Sequence, residues 1–176
     1  KFSELMNETA SSIGMKSTTF INSSGLENDK GIGNISTSND MALLMSEALK
    51  NKIFQKIVRT KKHTVKTNYK TYIWHNKNKL LSNYKYCTGG KTGFTEKARR
   101  TLVTSATKDN MNLVIVTLND PNDFKNHEDL YNKYFSLYKS YKIIDKNTTF
   151  EKEDYYIKND IYLTLTNEEY KLVETD

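Results

Sequence analysis

Cysteine, tryptophan and histidine are scarce in this sequence: one Cys, one Trp and three His occur in 176 residues. The single Cys87 excludes an intrachain disulfide and any Cys-x-x-Cys metal or redox pair. Beside a glycine turn it reads as a small buried hydrophobe rather than a reactive thiol. His63, His75 and His127 stand far apart and form no His-Glu-x-x-His or comparable ligand spacing, so neither a metal site nor a cofactor is expected. No apolar stretch approaches the roughly 18 residues of a membrane span, and no secretory leader is recognisable at the start. The chain opens on Lys1 rather than Met, with residues 2 to 14 already patterned as a helix, and is therefore expected to be an excised part of a longer chain.

The residues that are present argue for a globular domain. Hydrophobic content is 36% and mean hydropathy is −0.73, yet twelve Tyr and seven Phe supply core material that a disordered chain lacks. The net charge of +6 favours polyanionic surroundings such as cell-wall polymer or anionic lipid. Nucleic acid is not an expected partner: Lys far outnumbers Arg, and no strand interleaves basic and aromatic residues.

Periodicity divides the chain into elements. Phe2, Leu5, Met6, Ala10 and Ile13 recur at helical spacing, and Gly14 suits the helix stop. Residues 15 to 34 have the Ser, Asn and Gly density of an irregular connection. Ser38 or Asn39 is expected to cap a second helix whose core face is Met41, Leu44, Met45, Ala48 and Leu49, with Asp40 and Glu47 on the polar side. A short helix comes next over IFQKIV, then a hairpin over 63 to 75 turning at Lys66 to Asn68. The alternating runs 100 to 107 and 111 to 119 flank Lys108-Asp109-Asn110 and predict a second hairpin. KTGFT adjoins it as an expected third strand near the edge of an antiparallel sheet. After Asp120-Pro121-Asn122-Asp123 the pattern returns to helix, with Leu130, Tyr134, Leu137, Tyr138 and Tyr141 as its predicted apolar face. Trp74 and the tyrosines are expected in the core, and His127 as a cap or surface residue. The fold class read from this order is α/β (α+β), an antiparallel sheet flanked by helices. Composition shifts near 141, which suggests residues 1–141 as one unit and 142–176 as the beginning of a small β-rich C-terminal domain.

CTGGKTGFTEKARRTLV, residues 87 to 103, is a local conflict: glycine is poor strand material, yet the residues after the glycines alternate as a strand. A phosphate loop needs GxxxxGK[ST] between strand and helix, but Lys85 occupies the place of the first glycine and no helix comes after Thr92. Lys-Thr-Gly on a strand beside a cleft is instead similar to one motif of the active-site serine, penicillin-recognising enzymes. The chemistry suits the residues. Lys91 sets positive potential for an anionic substrate end and a developing oxyanion. Thr92 can hydrogen-bond a carboxylate, and Gly93 leaves room for a peptide alongside the strand. The backbone N–H of Phe94 is a candidate oxyanion donor, and Thr95 continues the substrate-facing strand.

The surroundings extend this likeness. FSELMNETASSIGMKSTTFINSSGL, ISTSNDMALLMSEAL, HNKNKLL and GGKTGFTEKARRTLVTSATKD, in this order and spacing over residues 1 to 140, closely resemble the D-alanyl-D-alanine carboxypeptidases, the low-molecular-mass penicillin-binding proteins. ARRTLV and LNDPNDFKNHEDLY look most like the sporulation-associated branch. The resemblance implies a transpeptidase-like domain that attacks a peptidoglycan stem peptide ending in D-Ala-D-Ala with a serine, releases D-Ala and passes the acyl group to water. It also implies inhibition by β-lactams, a place on the outer face of the cytoplasmic membrane, and membrane association through segments absent from this sequence. A non-catalytic wall-binding module of the same fold and a β-lactamase are the alternatives.

Three motifs meet in that family's cleft: Ser-x-x-Lys, Ser-x-Asn and Lys-Thr-Gly. Only Lys91-Thr92-Gly93 has its context here, and no Ser-x-Asn occurs. Ser82/Lys85, Ser105/Lys108 and Ser136/Lys139 satisfy the first pattern at the frequency chance allows, none at the first turn of a helix beside a cleft. The chain is therefore expected to carry half of an active site. The resemblance also places Lys77 where a basic residue helps hold the substrate carboxylate, although Lys cannot make the bidentate fork of Arg. Arg99 and Arg100 are candidates for substrate or partner contacts, or plain surface charge.

Overall fold

The computed structural model describes residues 1–144 and 169–174, and among them an α/β arrangement of antiparallel sheets flanked by helices. The elements are α1 (Phe2–Ser12), α2 (Ser38–Ala48), α3 (Lys52–Arg59), β1 (Lys62–Lys66), β2 (Thr71–His75), α4 (Leu80–Asn83), β3 (Cys87–Thr95), β4 (Arg99–Lys108), β5 (Met111–Leu118), α5 (Asp123–Leu137), β6 (Tyr138–Ile144) and β7 (Glu169–Glu174).

The central sheet has the order β3-β4-β5 and is antiparallel throughout. Its firmest part is the β4–β5 hairpin, where Lys108 pairs with Met111 and the two loop residues Asp109 and Asn110 both adopt positive φ, 47° and 61°. A two-residue turn of this hand matches the twist of the strands it joins, and Asp and Asn tolerate it best among non-glycine residues. Alternation then divides β4 between two layers. Thr104 faces α5, bonding His127 and Tyr131, while Thr101, Val103 and Ser105 face the side occupied by α2 and the α1–α2 connection.

Stacked rings supply half of the central buried cluster, beside aliphatic residues, in a chain of low hydropathy. Leu80, Tyr84, Ala106, Met111, Tyr131 and Phe135 form the buried cluster. Tyr84 and Tyr131 stack with centroids 5.5 Å apart, and Tyr131 stacks on Phe135 at 5.9 Å. Each large side chain so buried contributes roughly 1.5–3 kcal/mol of transfer free energy.

Several expectations are corrected by the packing. On α5 the buried stripe is Asp123, His127, Tyr131 and Phe135, not the Leu130/Tyr134 row. The helix ends at Leu137, and Tyr138 begins β6; the side chain of Tyr141 lies outside the described residues. Polar Asp123 and His127 enter the interior because Arg100, Thr104 and Thr117 meet them there. On α2 the cap is Thr37, whose hydroxyl accepts from Asp40 N–H. Asp40, placed on the polar side by its charge, is buried and accepts from Ser17 N–H at 2.8 Å and Thr18 Oγ1 at 2.7 Å, tying the irregular connection to the helix. Trp74 is 54% exposed, on a hairpin whose four-residue turn spans 67 to 70. On α1, Ala10 is buried while Phe2 and Leu5 remain exposed. The strands read between 145 and 168 lie outside the described residues.

Candidate active site

β3 is the edge of its sheet and pairs only with β4 among the described residues: Lys91 opposite Val103, Thr92 opposite Leu102, Gly93 opposite Thr101 and Phe94 opposite Arg100. A register shift between Cys87 and Gly89 bends the strand just before the Lys-Thr-Gly triplet, as bulges beside functional sites do. Three glycines of β3 are required here by close approach, and a Cβ on Gly90, whose φ is +154°, would lie 2.5 Å from the Val103 carbonyl oxygen. A Cβ on Gly89 would lie 2.5 Å from Val58 Cγ2 of α3, and one on Gly93 would lie 2.5 Å from Thr101 Oγ1. At Gly93 the absent side chain thus admits the neighbouring strand's threonine, a packing requirement that the room expected for a peptide did not include.

The triplet lines a cavity of about 470 Å³ between the sheet, α2 and the α1–α2 connection. Lys91, Thr92 and Gly93 form one wall; Val103, Val116 and Met41 supply apolar floor, and Asn34 and Ser36 supply polar groups opposite. Lys91 is exposed, its ammonium donating to the carbonyl of Thr92. Thr92 is half-buried, and Phe94 projects with 60% of its surface exposed. Thr95 has a different part: its hydroxyl donates to Glu27 Oε1 at 2.8 Å and accepts from Ala98 N–H. That hydrogen bond is the main reason the Glu27 carboxyl titrates below its ordinary range. With Lys97 Nζ on the carbonyl of Gly31, it pins the α1–α2 connection to the end of β3. Lys77, exposed between β2 and α4, does not line the cavity.

The structure adds a positioning residue that motif reading passed over. Asn78 is buried; its Nδ2 donates to the Gly89 carbonyl at 3.5 Å, while its Oδ1 accepts from Leu80 N–H at 3.1 Å. It therefore links the start of α4 to the bulge that aims β3. An Asn two residues before a short helix, in HNKNKLL, is the local signal that could have found it.

The remaining candidates have structural partners. Arg100 NH2 lies 2.7 Å from Asp123 Oδ1, and Arg99 pairs with Glu96 at 3.3 Å. His127, expected as a cap or surface residue, is fully buried: Nδ1 shares a hydrogen bond with Thr104 Oγ1 at 2.7 Å and Nε2 with Thr117 Oγ1 at 3.1 Å. Burial holds its imidazole neutral, lowering its pKa to about 4. The half-buried Cys87 thiol is pushed up by desolvation, which leaves it a poor nucleophile.

None of the three Ser-x-x-Lys pairs is built as a nucleophile and its base. Ser105 is buried in β4 and hydrogen-bonded to Thr88 Oγ1 at 2.8 Å. Ser136 donates to the Lys133 carbonyl near the end of α5. Ser82 is exposed on α4, with the Lys85 ammonium turned over the Tyr86 ring at 4.6 Å.

Comparison with known proteins agrees with this architecture. Residues 1–122 match the family model described as D-alanyl-D-alanine carboxypeptidase. The D-alanyl-D-alanine carboxypeptidase DacF of Bacillus subtilis is 30% identical over 156 residues, covering 86% of this chain and 39% of the relative. A Streptomyces D-alanyl-D-alanine carboxypeptidase is 37% identical over 109 residues, 58% of this chain and 36% of the relative. Among solved structures, the Mycobacterium tuberculosis D-alanyl-D-alanine carboxypeptidase superposes with a TM-score of 0.70 at 28% identity, covering 77% of this chain and 53% of that one. A Streptomyces DD-transpeptidase superposes with a TM-score of 0.71 at 32% identity, covering 77% and 54%. The chain thus spans well under half the length of the curated relatives it matches.

Proposed function

The chain belongs to the D-alanyl-D-alanine carboxypeptidase family, and from that membership we propose that it forms the Lys-Thr-Gly wall of a serine-type D-Ala-D-Ala carboxypeptidase. The carrying observation is the edge strand β3, bent by a bulge, with Lys91, Thr92 and Gly93 along one wall of a cavity. An edge strand can accept an extended peptide as an added strand, the natural seat for a peptidoglycan stem peptide ending in D-Ala-D-Ala. Lys91 then presents positive charge to the anionic end of the substrate and to the oxyanion, and Thr92 offers its hydroxyl to the terminal carboxylate. Phe94 N–H serves the oxyanion, and Lys77 contributes longer-range positive potential from outside the cavity. Because no Ser-x-x-Lys pair in the chain is arranged as nucleophile and base, the attacking serine stands on a segment outside these 176 residues.

β-Lactams would occupy the same wall as substrate mimics, and the reaction belongs at the outer face of the cytoplasmic membrane, where the terminal D-Ala of stem peptides is trimmed. The sporulation-associated branch is supported by ARRTLV and LNDPNDFKNHEDLY. The division into a transpeptidase-like unit through 141 and a β-rich unit after it rests on the composition shift near 141; β6, which pairs with β7, begins at Tyr138 and so crosses that boundary.

Labelled penicillin tests the reading. A form that includes a Ser-x-x-Lys segment is expected to be acylated, the 176-residue chain alone is not, and Lys91→Ala is expected to slow acylation by about 10²–10³-fold, the scale of losing one oxyanion-stabilising group. Stable labelling of the chain alone, or labelling indifferent to Lys91→Ala, overturns it.

A further inference from the structure

Between Glu47 and Glu96 lie 48 residues without one Asp or Glu and with twelve basic side chains, eleven Lys and Arg59. Outside that interval the balance reverses, with 21 acidic residues against 15 basic ones. Among the described residues, Lys50 is the one member of the twelve in an ion pair, with Glu47. A single-signed field of this kind is aimed at solvent and raises the local concentration of an anionic partner.

The same interval builds a cleft with aromatic walls. A cavity of about 500 Å³ lies between α3 and the β1–β2 hairpin, lined by Lys56, Ile57, Thr60, His63, Trp74 and His75 among others. Trp74 lies nearly parallel to both His63 and Tyr72, at 12° and 22°, with ring centroids 6.1 and 5.9 Å away. The Lys70 ammonium sits 5.3 Å from the Tyr72 ring centre. Every residue of β2 is exposed, and Ile57 of α3 is 65% exposed, so no core formed by the described residues covers these apolar groups.

We infer that this cleft docks an acidic glycan, a sugar polymer carrying carboxylate or phosphate groups. An indole wall suits the apolar C–H face of a pyranose ring, and the hydroxyl of Thr60 and the imidazoles of His63 and His75 suit its hydroxyls. Lys56 and the surrounding unpaired lysines suit its acidic substituents. A lipid surface would favour a projecting apolar face, whereas Trp74 forms the wall of a concavity. The cleft shares no lining residue with the cavity beside Lys91, and its assignment does not rest on the reading of β3.

Trp74 is the sole tryptophan, so its fluorescence reports directly on the cleft. Titration of the 176-residue chain with hyaluronan at low salt is expected to shift Trp74 emission. Binding is expected to be about tenfold tighter than to poly-L-glutamate of equal charge density or to neutral dextran, a 1.4 kcal/mol preference. Lys56→Glu, on the surface of α3, is expected to weaken hyaluronan binding about fivefold with the fold unchanged by circular dichroism. Trp74→Ala, followed by calorimetry, is expected to lose the preference over polyglutamate. Equal affinity for polyglutamate, tighter binding to phosphatidylglycerol vesicles, a silent Trp74, or no binding to hyaluronan each overturns the inference.

Discussion

Thr104 Oγ1 lies 2.7 Å from His127 Nδ1, across the interface of β4 and α5, with both side chains fully out of solvent. The imidazole is held neutral there, its pKa lowered by burial to about 4 against an ordinary 6.5. The unfolded chain therefore binds a proton between those values that the folded chain does not. The contribution of His127 to stability is fully present above about pH 6.5 and is lost as pH drops toward 4, an amount on the order of 3 kcal/mol at 1.36 kcal/mol per unit. Urea unfolding of wild type and His127→Gln at pH 7.5, 6 and 4.5 checks this: the wild type is expected to lose more stability on acidification than the variant.

Arg100 and Asp123 form a second cross-layer tie, with the carboxylate buried and the guanidinium 44% exposed. Removing Arg100 leaves a buried charge without its partner, although water can enter where the exposed guanidinium stood. Arg100→Ala is expected to cost about 1–3 kcal/mol, toward the lower part of the range for broken buried pairs. Arg100→Ala combined with Asp123→Asn should recover part of the loss. Chemical denaturation of the two single variants and the double variant measures the coupling.

Gly93 is expected to be intolerant for a reason that lies on β4. A Cβ there would stand 2.5 Å from Thr101 Oγ1, so Gly93→Ala should destabilise by about 1–3 kcal/mol through overpacking. Thr101→Ala removes the clashing hydroxyl and should rescue it. A thermal melt of the double variant matching Gly93→Ala alone would refute this account.

At Thr92 the proposed role separates hydroxyl from shape. In a form carrying the nucleophile, Thr92→Ser is expected to keep turnover of a D-Ala-D-Ala peptide near wild type. Thr92→Val should raise KM about tenfold, the loss of one charge-assisted hydrogen bond. Steady-state release of D-Ala distinguishes the two, and equal values for both variants would remove Thr92 from carboxylate binding.

Much of the sheet was legible because its signals are local. The alternation on either side of Asp109-Asn110 specifies both strands and their register, and the triplet Lys91-Thr92-Gly93 lies on the strand β3 that pairs with the first of them. The helix face of α5 was not legible from apolar spacing, because the residues it buries at its start are Asp123 and His127. Hydrophobic period cannot distinguish a polar residue that will find a buried partner from one that will stay in water. Asp40 escaped for the same reason, its partners Ser17 and Thr18 lying more than twenty residues earlier.

By itself the sequence determined the order of elements, the antiparallel hairpin and the edge strand bearing the triplet, along with the family blocks around it. Those features arise from backbone preferences and side-chain period within a dozen residues. Only the tertiary structure decided that Gly93 makes way for Thr101, that Thr95 is engaged by Glu27, that Asn78 anchors the bulge, and that Trp74 walls an open cleft instead of filling the core. Each of these depends on which distant groups arrive within hydrogen-bonding or van der Waals distance, and burial is a property of that arrival rather than of the residue.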